Sequence, residues 1–138
     1  MLLIAGGVGI NPLASIFYHA ASASEPDSSQ DNQPLSKVKM IYSARTSEEL
    51  IFKESFDAIA RERAGFETQY FVTREESQSA SVSHGRFTAQ QLRESVQGMS
   101  ELPTFCYICG PTAFIQDTNR ILRDLGVPKS NIFFELWW

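Results

Sequence analysis

The chain has 138 residues, of which 43% are hydrophobic and 12% aromatic, so it is long and apolar enough to form one domain with a buried core. Its formal net charge of -4 argues against general binding to nucleic acids or anionic membranes, which both need a basic surface. No apolar run approaches the roughly 20 residues of a membrane span, and no signal-peptide pattern opens the sequence. We therefore expect a soluble globular domain.

The sequence opens with an apolar strand, a glycine turn and a helix. The side-chain oxygen of Asn11 can cap that helix, and Pro12 suits its first position because proline has no N–H to leave unpaired. Glycines leave the backbone N–H groups open to an anion, so the turn predicts a pyrophosphate site formed by Gly6, Gly7, Val8, Gly9, Ile10, Asn11 and Pro12. Pro12 stands where the third glycine of G-x-G-x-x-G would fall, and a merely tight strand-to-helix turn is the alternative.

Four further segments have the apolar pattern of strands: residues 37–43, 66–73, 104–109 and 132–138. Helical patterns separate them, and two of the helices are predicted to begin with capping boxes, Thr46 with Glu49 and Thr88 with Gln91. Residues 25–36 are polar and contain prolines, which predicts a mobile surface loop. Alternation of strand and helix indicates an α/β fold, a Rossmann-like five-stranded parallel sheet with helices on both faces.

The two cysteines form a C-x-x-C pattern, which would suit a redox or zinc site. Cys106 and Cys109 lie in a predicted strand, however, where residues three apart point to opposite faces. Only two histidines, His19 and His84, accompany them, so no metal-ligand set is present. We expect two free thiols in a reducing, intracellular compartment and no metal.

Unusual residues lie at the carboxyl ends of the first four predicted strands, where the ligands of parallel sheets bind. They are the glycine turn, Arg45 after the second strand, Arg74 after the third, and Cys109, Gly110 and Pro111 at the end of the fourth. An arginine suits a phosphate because its planar fork can bond two oxygens at once, whereas sheets that select NAD usually carry an acid after the second strand. No acid follows that strand before Glu48, which favours a phosphate-bearing ligand.

Six motifs in order carry a family resemblance: GGVGINP at 6–12, YSAR at 42–45, VTRE at 72–75, GR at 85–86, CGP at 109–111, and Glu135 with terminal aromatics. Together they resemble the NAD(P)-binding domain of the ferredoxin–NADP reductase family. Bacterial-type ferredoxin/flavodoxin–NADP reductases and proteins with an oxidoreductase NAD-binding domain are the most similar in character. The resemblance covers nearly all of residues 1–138.

The resemblance implies that this chain is the nicotinamide-dinucleotide-binding half of an NAD(P)H-dependent flavoprotein reductase. In the family, a preceding β-barrel domain holds FAD, and a hydride passes between nicotinamide and flavin. The barrel's flavin signature is absent and the chain begins inside a strand, so we expect a piece of a longer protein that is inactive without its flavin domain. The electron acceptor stays unknown, and a mitochondrial location is compatible with the resemblance. A non-catalytic dinucleotide-binding sensor or scaffold is the alternative.

The resemblance also implies roles for single residues. The glycine turn would hold the pyrophosphate, and the adenosine end would lie among Ser43, Arg45, Arg74 and Arg86, which favours NADP(H) over NAD(H). Gly110 and Pro111 would face the cofactor, with Cys109 beside the nicotinamide ring. Glu135 would lie near the reacting centre as the second catalytic residue, since a charge in so apolar a strand would be costly to bury. Trp137 and Trp138 would cover the flavin.

Overall fold

A single six-stranded parallel sheet forms the centre of the protein. The computed structural model describes residues 1–24, 37–76, 79–99 and 104–136. In spatial order the strands are β4-β3-β2-β1-β5-β6, and every neighbouring pair is parallel. Their bounds are β1 Leu2–Gly6, β2 Val38–Ala44, β3 Phe66–Val72, β4 Val82–His84, β5 Cys106–Gly110 and β6 Ile132–Leu136.

The predicted α/β class is confirmed, but the strand count of five is wrong. The additional strand, β4, has only three residues at the edge of the sheet, beside β3. Val82 is its one buried side chain, while Ser83 and His84 are exposed. Three residues with a single apolar member leave no periodic pattern to detect.

In the described ranges, four α-helices cover the two faces of the sheet: α1 Ile10–Ala23, α2 Lys53–Glu62, α3 Ala89–Gln97 and α4 Thr112–Asp124. Phe17 of α1 and Phe56 of α2 belong to one buried cluster, with ring centroids 4.8 Å apart. Leu92 of α3 and Ile115 of α4 belong to the cluster on the other face. The prediction of helices on both faces is therefore confirmed.

The strand at the centre of the sheet, β1, is buried along its whole length. Leu3 and Ala5 enter the cluster beneath α1, and Leu2 and Ile4 enter the opposite one. Each fully buried leucine or isoleucine contributes about 1.5–3 kcal/mol relative to an exposed one. Burial on both faces explains why the sequence of β1 is an unbroken apolar run. It also fixes the position of the glycine turn that follows the strand.

The two cysteines point to opposite faces of β5, as predicted. Cys106 and Cys109 are not disulfide-bonded, and both are buried, one in each cluster. Burial raises the pKa of the Cys106 thiol to about 11. Within the four described ranges, no three His, Cys, Asp or Glu side chains are grouped so as to hold a metal ion. None of the helices placed there is long and apolar enough to cross a membrane.

Two of the predicted helix starts are wrong. Residues Gly7–Gly9 form a turn of 3-10 helix before α1, so Asn11 and Pro12 are the second and third residues of the α-helix. The Asn11 side-chain nitrogen donates to the Val8 carbonyl at 3.1 Å, and its oxygen does not cap the helix.

The second wrong start concerns Thr46 and Glu49. These residues belong to a separate 3-10 turn over Ser47–Glu49, without a side-chain cap, and α2 begins only at Lys53. By contrast, the capping box of Thr88 and Gln91 at the start of α3 is confirmed in both of its hydrogen bonds. The predicted loop over 25–36 lies outside the described residues.

Candidate functional site

A groove of about 750 Å³ runs along the carboxyl edge of the sheet. Residues from the ends of β1 and β2, from the segments that follow β2, β3 and β4, and from α4 line it. They include Gly6, Ser43, Ala44, Thr73, Arg86 and Phe114. Ligands of open parallel sheets bind at this edge, so the groove is the candidate site.

Close packing fixes the glycine turn at one end of the groove. A Cβ atom on Gly9 would lie 2.3 Å from the carbonyl oxygen of Cys109, so α1 can begin against the end of β5 only if this residue is glycine. Gly7 has a φ of +55°, a left-handed conformation that glycine adopts without strain. Val8, between them, lines the groove and is 85% exposed, which is unusual for an apolar side chain.

The N-terminus of α1 is suited to an anion. Among the residues that the structure describes, no side chain caps this 14-residue helix, and no acidic residue occupies its first turn. The positive end of the helix dipole is therefore not compensated by a neighbouring carboxylate. Val8, Ile10 and Asn11 line the groove at this end, which places it where a phosphate could accept backbone hydrogen bonds.

An ion pair stands at the end of β2, where Arg45 and Glu49 both line the groove. The Arg45 guanidinium contacts one carboxylate oxygen of Glu49 through Nη2 at 2.7 Å and donates to it through Nε at 2.9 Å. The Arg45 backbone N–H donates to the other oxygen at 3.1 Å. These guanidinium and backbone hydrogen bonds, with the charges of Arg45 and Arg74, hold the pKa of Glu49 below its usual value.

A buried tyrosine anchors the turn that carries Glu49. The Tyr42 hydroxyl donates to the Glu49 carbonyl at 2.7 Å, and burial raises the pKa of Tyr42 to about 12. The Ser47 backbone N–H donates to the Glu75 carboxylate, which ties the turn to the segment after β3. The same segments are joined by the Arg74 backbone N–H, which donates to the Arg45 carbonyl at 2.8 Å.

Most of the predicted cofactor-binding residues come together in the groove. Those that line it are Gly6, Gly7, Val8, Ile10, Asn11, Ser43, Arg45, Arg86 and Pro111. Gly9, in the glycine turn, and Pro12, in the first turn of α1, do not line the groove. Gly110 lies behind Phe114, whose ring a Cβ on Gly110 would meet at 2.9 Å. Arg74 is exposed beside Arg45 and outside the lining.

The predicted catalytic residues lie apart from the groove lining. Cys109 is 3% exposed, and its side chain belongs to the cluster beneath α1. Glu135 pairs in register with Cys109 on the edge strand β6, where it is exposed. Glu135 is exposed because an edge strand leaves its side chains open to water, and its catalytic role stays a prediction. Trp137 and Trp138 lie outside the described residues.

Sequence reasoning missed several lining residues. Glu49 fits a capping-box pattern with Thr46, but it also lies four residues after Arg45, a spacing at which opposite charges can pair. Tyr42 is part of the YSAR motif but carries no predicted role, and Ile51, which no motif includes, is 68% exposed in the groove. Phe87 and Phe114 meet edge to face, with centroids 5.7 Å apart, across residues 27 apart in the chain, a contact that no local pattern predicts.

Comparison with known proteins yields relatives in sequence and in structure. The chain is 36% identical over 144 residues to oxidoreductase NAD-binding domain-containing protein 1 of Danio rerio, and it spans 100% of itself but only 52% of that relative. The structure of the CS-b5R domains of human Ncb5or, in an NAD+ form, matches with a TM-score of 0.79 at 22% identity, over 96% of this chain and 35% of that one.

A second solved structure is a ferredoxin NADP+ reductase from Neisseria gonorrhoeae with bound FAD and NADP. It matches with a TM-score of 0.70 at 24% identity, over 99% of this chain and 55% of that chain. Both structural similarities show a shared fold. The family model of the oxidoreductase NAD-binding domain matches residues 3–120, most of the sequence, and the chain therefore belongs to the oxidoreductase NAD-binding domain family.

Proposed function

We propose that this chain is the nicotinamide-dinucleotide-binding half of a flavin-dependent oxidoreductase. The observation that carries the proposal is the groove at the carboxyl edge of the sheet, with the uncapped N-terminus of α1 at one end and Arg45 and Arg86 in its lining. A dinucleotide needs these features, an anion site for its pyrophosphate and cationic or polar groups for its adenosine end.

The residues present fit such a ligand. Gly7 presents no side chain to the groove, Gly9 lets α1 begin against the end of β5, and exposed Val8 would be covered by the bound molecule. Nicotinamide, when bound, supplies the hydride chemistry, and the chain's own task is to bind and orient it. Since the chain spans 52% of its Danio rerio relative, we propose that the flavin is held by a domain outside this sequence.

Of the two nicotinamide dinucleotides, we propose that NADP(H) is preferred. Arg86 lines the groove, and Arg74 lies beside Arg45 through the backbone hydrogen bond between them. Guanidinium groups at the adenosine end of a dinucleotide site suit a 2′-phosphate better than a ribose hydroxyl, because a planar fork can bond two oxygens at once. Ser43, 8% exposed at the end of β2, adds a hydroxyl at the same place.

The nicotinamide end is proposed to lie toward Pro111, the lining residue that follows β5. In the proposal, Cys109 acts mainly through the position of its backbone, which packs on Gly9, and its thiol remains in the core. Glu135 lies one strand away, opposite Cys109, and its exposure leaves it free to meet a flavin domain. The covering role of Trp137 and Trp138 stays a prediction.

Calorimetric titration of the chain with NADP+ and with NAD+ tests the binding proposal. We expect both to bind, NADP+ more tightly, and Arg86→Ala to weaken NADP+ binding by about tenfold, as for a lost hydrogen bond to a charged group. Arg93→Ala is the matched control, because Arg93 is exposed on α3 and outside the groove. Failure of both dinucleotides to bind would contradict the proposed function.

A further inference from the structure

We propose that Lys39 is an acylation site, at which an acyl thioester of the coenzyme A type transfers its acyl group to the side-chain amine. The site lies near the amino ends of β2 and β3, away from the groove, and does not depend on the proposed function. A shallow polar depression of about 430 Å³ opens there. Lys39, Glu67, Gln91 and Glu94 are among the residues that line it.

The sheet and α3 together hold Lys39 at this polar depression. Lys39 is the second residue of β2 and pairs in register with Glu67, the second residue of β3. Gln91 and Glu94, both on α3, line the same depression. The Lys39 side chain is only 17% exposed, yet it borders this open space. The amine is therefore shielded from much of the water, while a short acyl group still has room beside it.

Lys39 is held by its carboxylate neighbour more loosely than two other lysines are held by theirs. Its Nζ lies 3.9 Å from one carboxylate oxygen of Glu67, which is too long for a hydrogen bond. The other oxygen of Glu67 pairs with Lys37 at 2.8 Å, and Lys53 pairs with Asp57 at 2.6 Å. No hydrogen bond to Glu67 must therefore break before Nζ of Lys39 attacks an acyl donor.

The charges around Lys39 also favour the nucleophilic form of its amine. Burial lowers the pKa of Lys39, the charges of Glu67 and Glu94 oppose this shift, and the charge of Lys37 adds to it. An amine with a lowered pKa has a larger neutral fraction near neutral pH, and only the neutral amine can attack a carbonyl carbon. The depression therefore offers both space for the acyl group and an activated amine.

The transfer involves no oxidation or reduction. The Nζ lone pair attacks the thioester carbonyl carbon, so that a C–N bond forms and the C–S bond breaks with its electron pair on sulfur. One proton of the starting ammonium passes to solvent, one passes to the thiolate, and one stays on the amide nitrogen. The acylated side chain is uncharged and no longer attracts Glu67, which keeps its ion pair with Lys37.

Acetyl-coenzyme A is the probe, added near neutral pH to the folded 138-residue chain. Peptide mass spectrometry gives the acetylation rate of each of the four lysines, Lys37, Lys39, Lys53 and Lys129. Each rate is divided by the rate of the same lysine in a synthetic peptide of its own sequence, which removes the effect of its neighbours in the chain. We expect a ratio of about 3 for Lys39, because the neutral fraction of an amine rises as its pKa falls.

The other three lysines are internal controls. The ratio should be near unity for exposed Lys129, and at or below unity for Lys37 and Lys53, whose amines are engaged in close ion pairs. A ratio at or below unity for Lys39, or an equal rise for Lys37, would overturn the proposal. Lys39→Arg, which keeps the positive charge, should remove most of the label from the peptide that contains both Lys37 and Lys39. An undiminished label there would also overturn it.

Glu67→Gln tests the electrostatic basis of the proposal. Glutamine keeps the shape of the side chain but removes a charge that opposes the lowered pKa of Lys39. The acetylation rate of Lys39 should therefore rise by about twofold, a modest factor because water screens a half-exposed carboxylate. Glu62→Gln is the matched control, since Glu62 is exposed on α2 and outside the lining of the depression. An unchanged or lower rate in Glu67→Gln, or an equal rise in Glu62→Gln, would contradict the proposal.

Discussion

The two ends of the groove are built by opposite means. The glycine turn, residues 6–9, is shaped by the absence of side chains, and its backbone packs against the end of β5. The charged turn, residues 45–49, is shaped by side chains, through the ion pair of Arg45 with Glu49 and the hydroxyl of Tyr42. The first is fixed sterically, so it tolerates little change. The second is held by exposed polar contacts, so it can be altered with little loss of stability.

The largest expected effect comes from breaking the glycine turn at Gly9. A Cβ placed 2.3 Å from the Cys109 carbonyl oxygen must displace backbone, so Gly9→Ala should destabilise the fold by about 3 kcal/mol. Gly7→Ala is the comparison, because that position has open space and only an unfavourable φ, at a cost of about 1 kcal/mol. Urea denaturation measures both, and Gly9→Ala being no more destabilising than Gly7→Ala would contradict the packing explanation.

A smaller loss is expected at the anchor of the charged turn. Tyr42→Phe removes the hydroxyl that donates to the Glu49 carbonyl, which should lower the free energy of unfolding by about 1 kcal/mol near neutral pH. Urea denaturation again measures it. Tyr18→Phe is a suitable control, because the hydroxyl of Tyr18 bonds the exposed Ser55 hydroxyl, away from the groove. Equal losses in both variants would argue against a special role for the buried anchor.

Alkaline pH should reveal the contribution of the buried Tyr42 hydroxyl to stability. The Tyr42 pKa is about 12 in the folded protein, above the value of about 10 in an unfolded chain, so the folded state favours the protonated form. The stability that this difference contributes is complete below pH 10 and is lost as the pH rises to 12. Between pH 9 and pH 11, the free energy of unfolding measured with urea should therefore fall less in Tyr42→Phe than in the parent chain. A fall of the same size in both would contradict the burial of this hydroxyl.

The smallest effect on stability is expected for Glu49→Gln. An exposed ion pair adds little to folding because water and salt screen it. The melting temperature should therefore match that of Glu48→Gln, which removes the same charge from an exposed residue. A clear loss of melting temperature in Glu49→Gln alone would mean that the pair supports the fold, and the contrast between the two turns would fail.

The same contrast explains what could be predicted from the sequence. The glycine turn is readable because an apolar run, three glycines and a helical pattern follow one another locally. The charged turn cannot be predicted in this way, since Thr46 and Glu49 fit a capping-box pattern as well as Arg45 and Glu49 fit an ion pair. The chain instead turns at Leu50, whose φ of -80° and ψ of 56° are not helical and whose side chain is buried, and this depends on tertiary packing.

The α4 residues that line the groove are also only partly predictable from the sequence. The helical period places Phe114 or Ile115 on the apolar face of α4. In the structure Ile115 is buried in the cluster beneath α3 and α4, and Phe114 is partly buried and packs against that cluster. Its contact with Gly6, 3.1 Å from a Cβ built there, joins residues more than a hundred positions apart. The burial of Cys109 likewise depends on residues distant in the sequence, because it follows from how α1 crosses β5. Such contacts depend on the assembled sheet.

Mapping of NADP+ onto the chain by NMR chemical-shift changes tests the central claim most directly. The account predicts the largest shifts at the backbone amides of Gly7, Val8 and Asn11 and at those of Arg45 and Arg86, at the two ends of one groove. Shifts concentrated instead in the shallow polar depression lined by Lys39, Glu67 and Glu94, away from the carboxyl edge, would contradict the placement of the site.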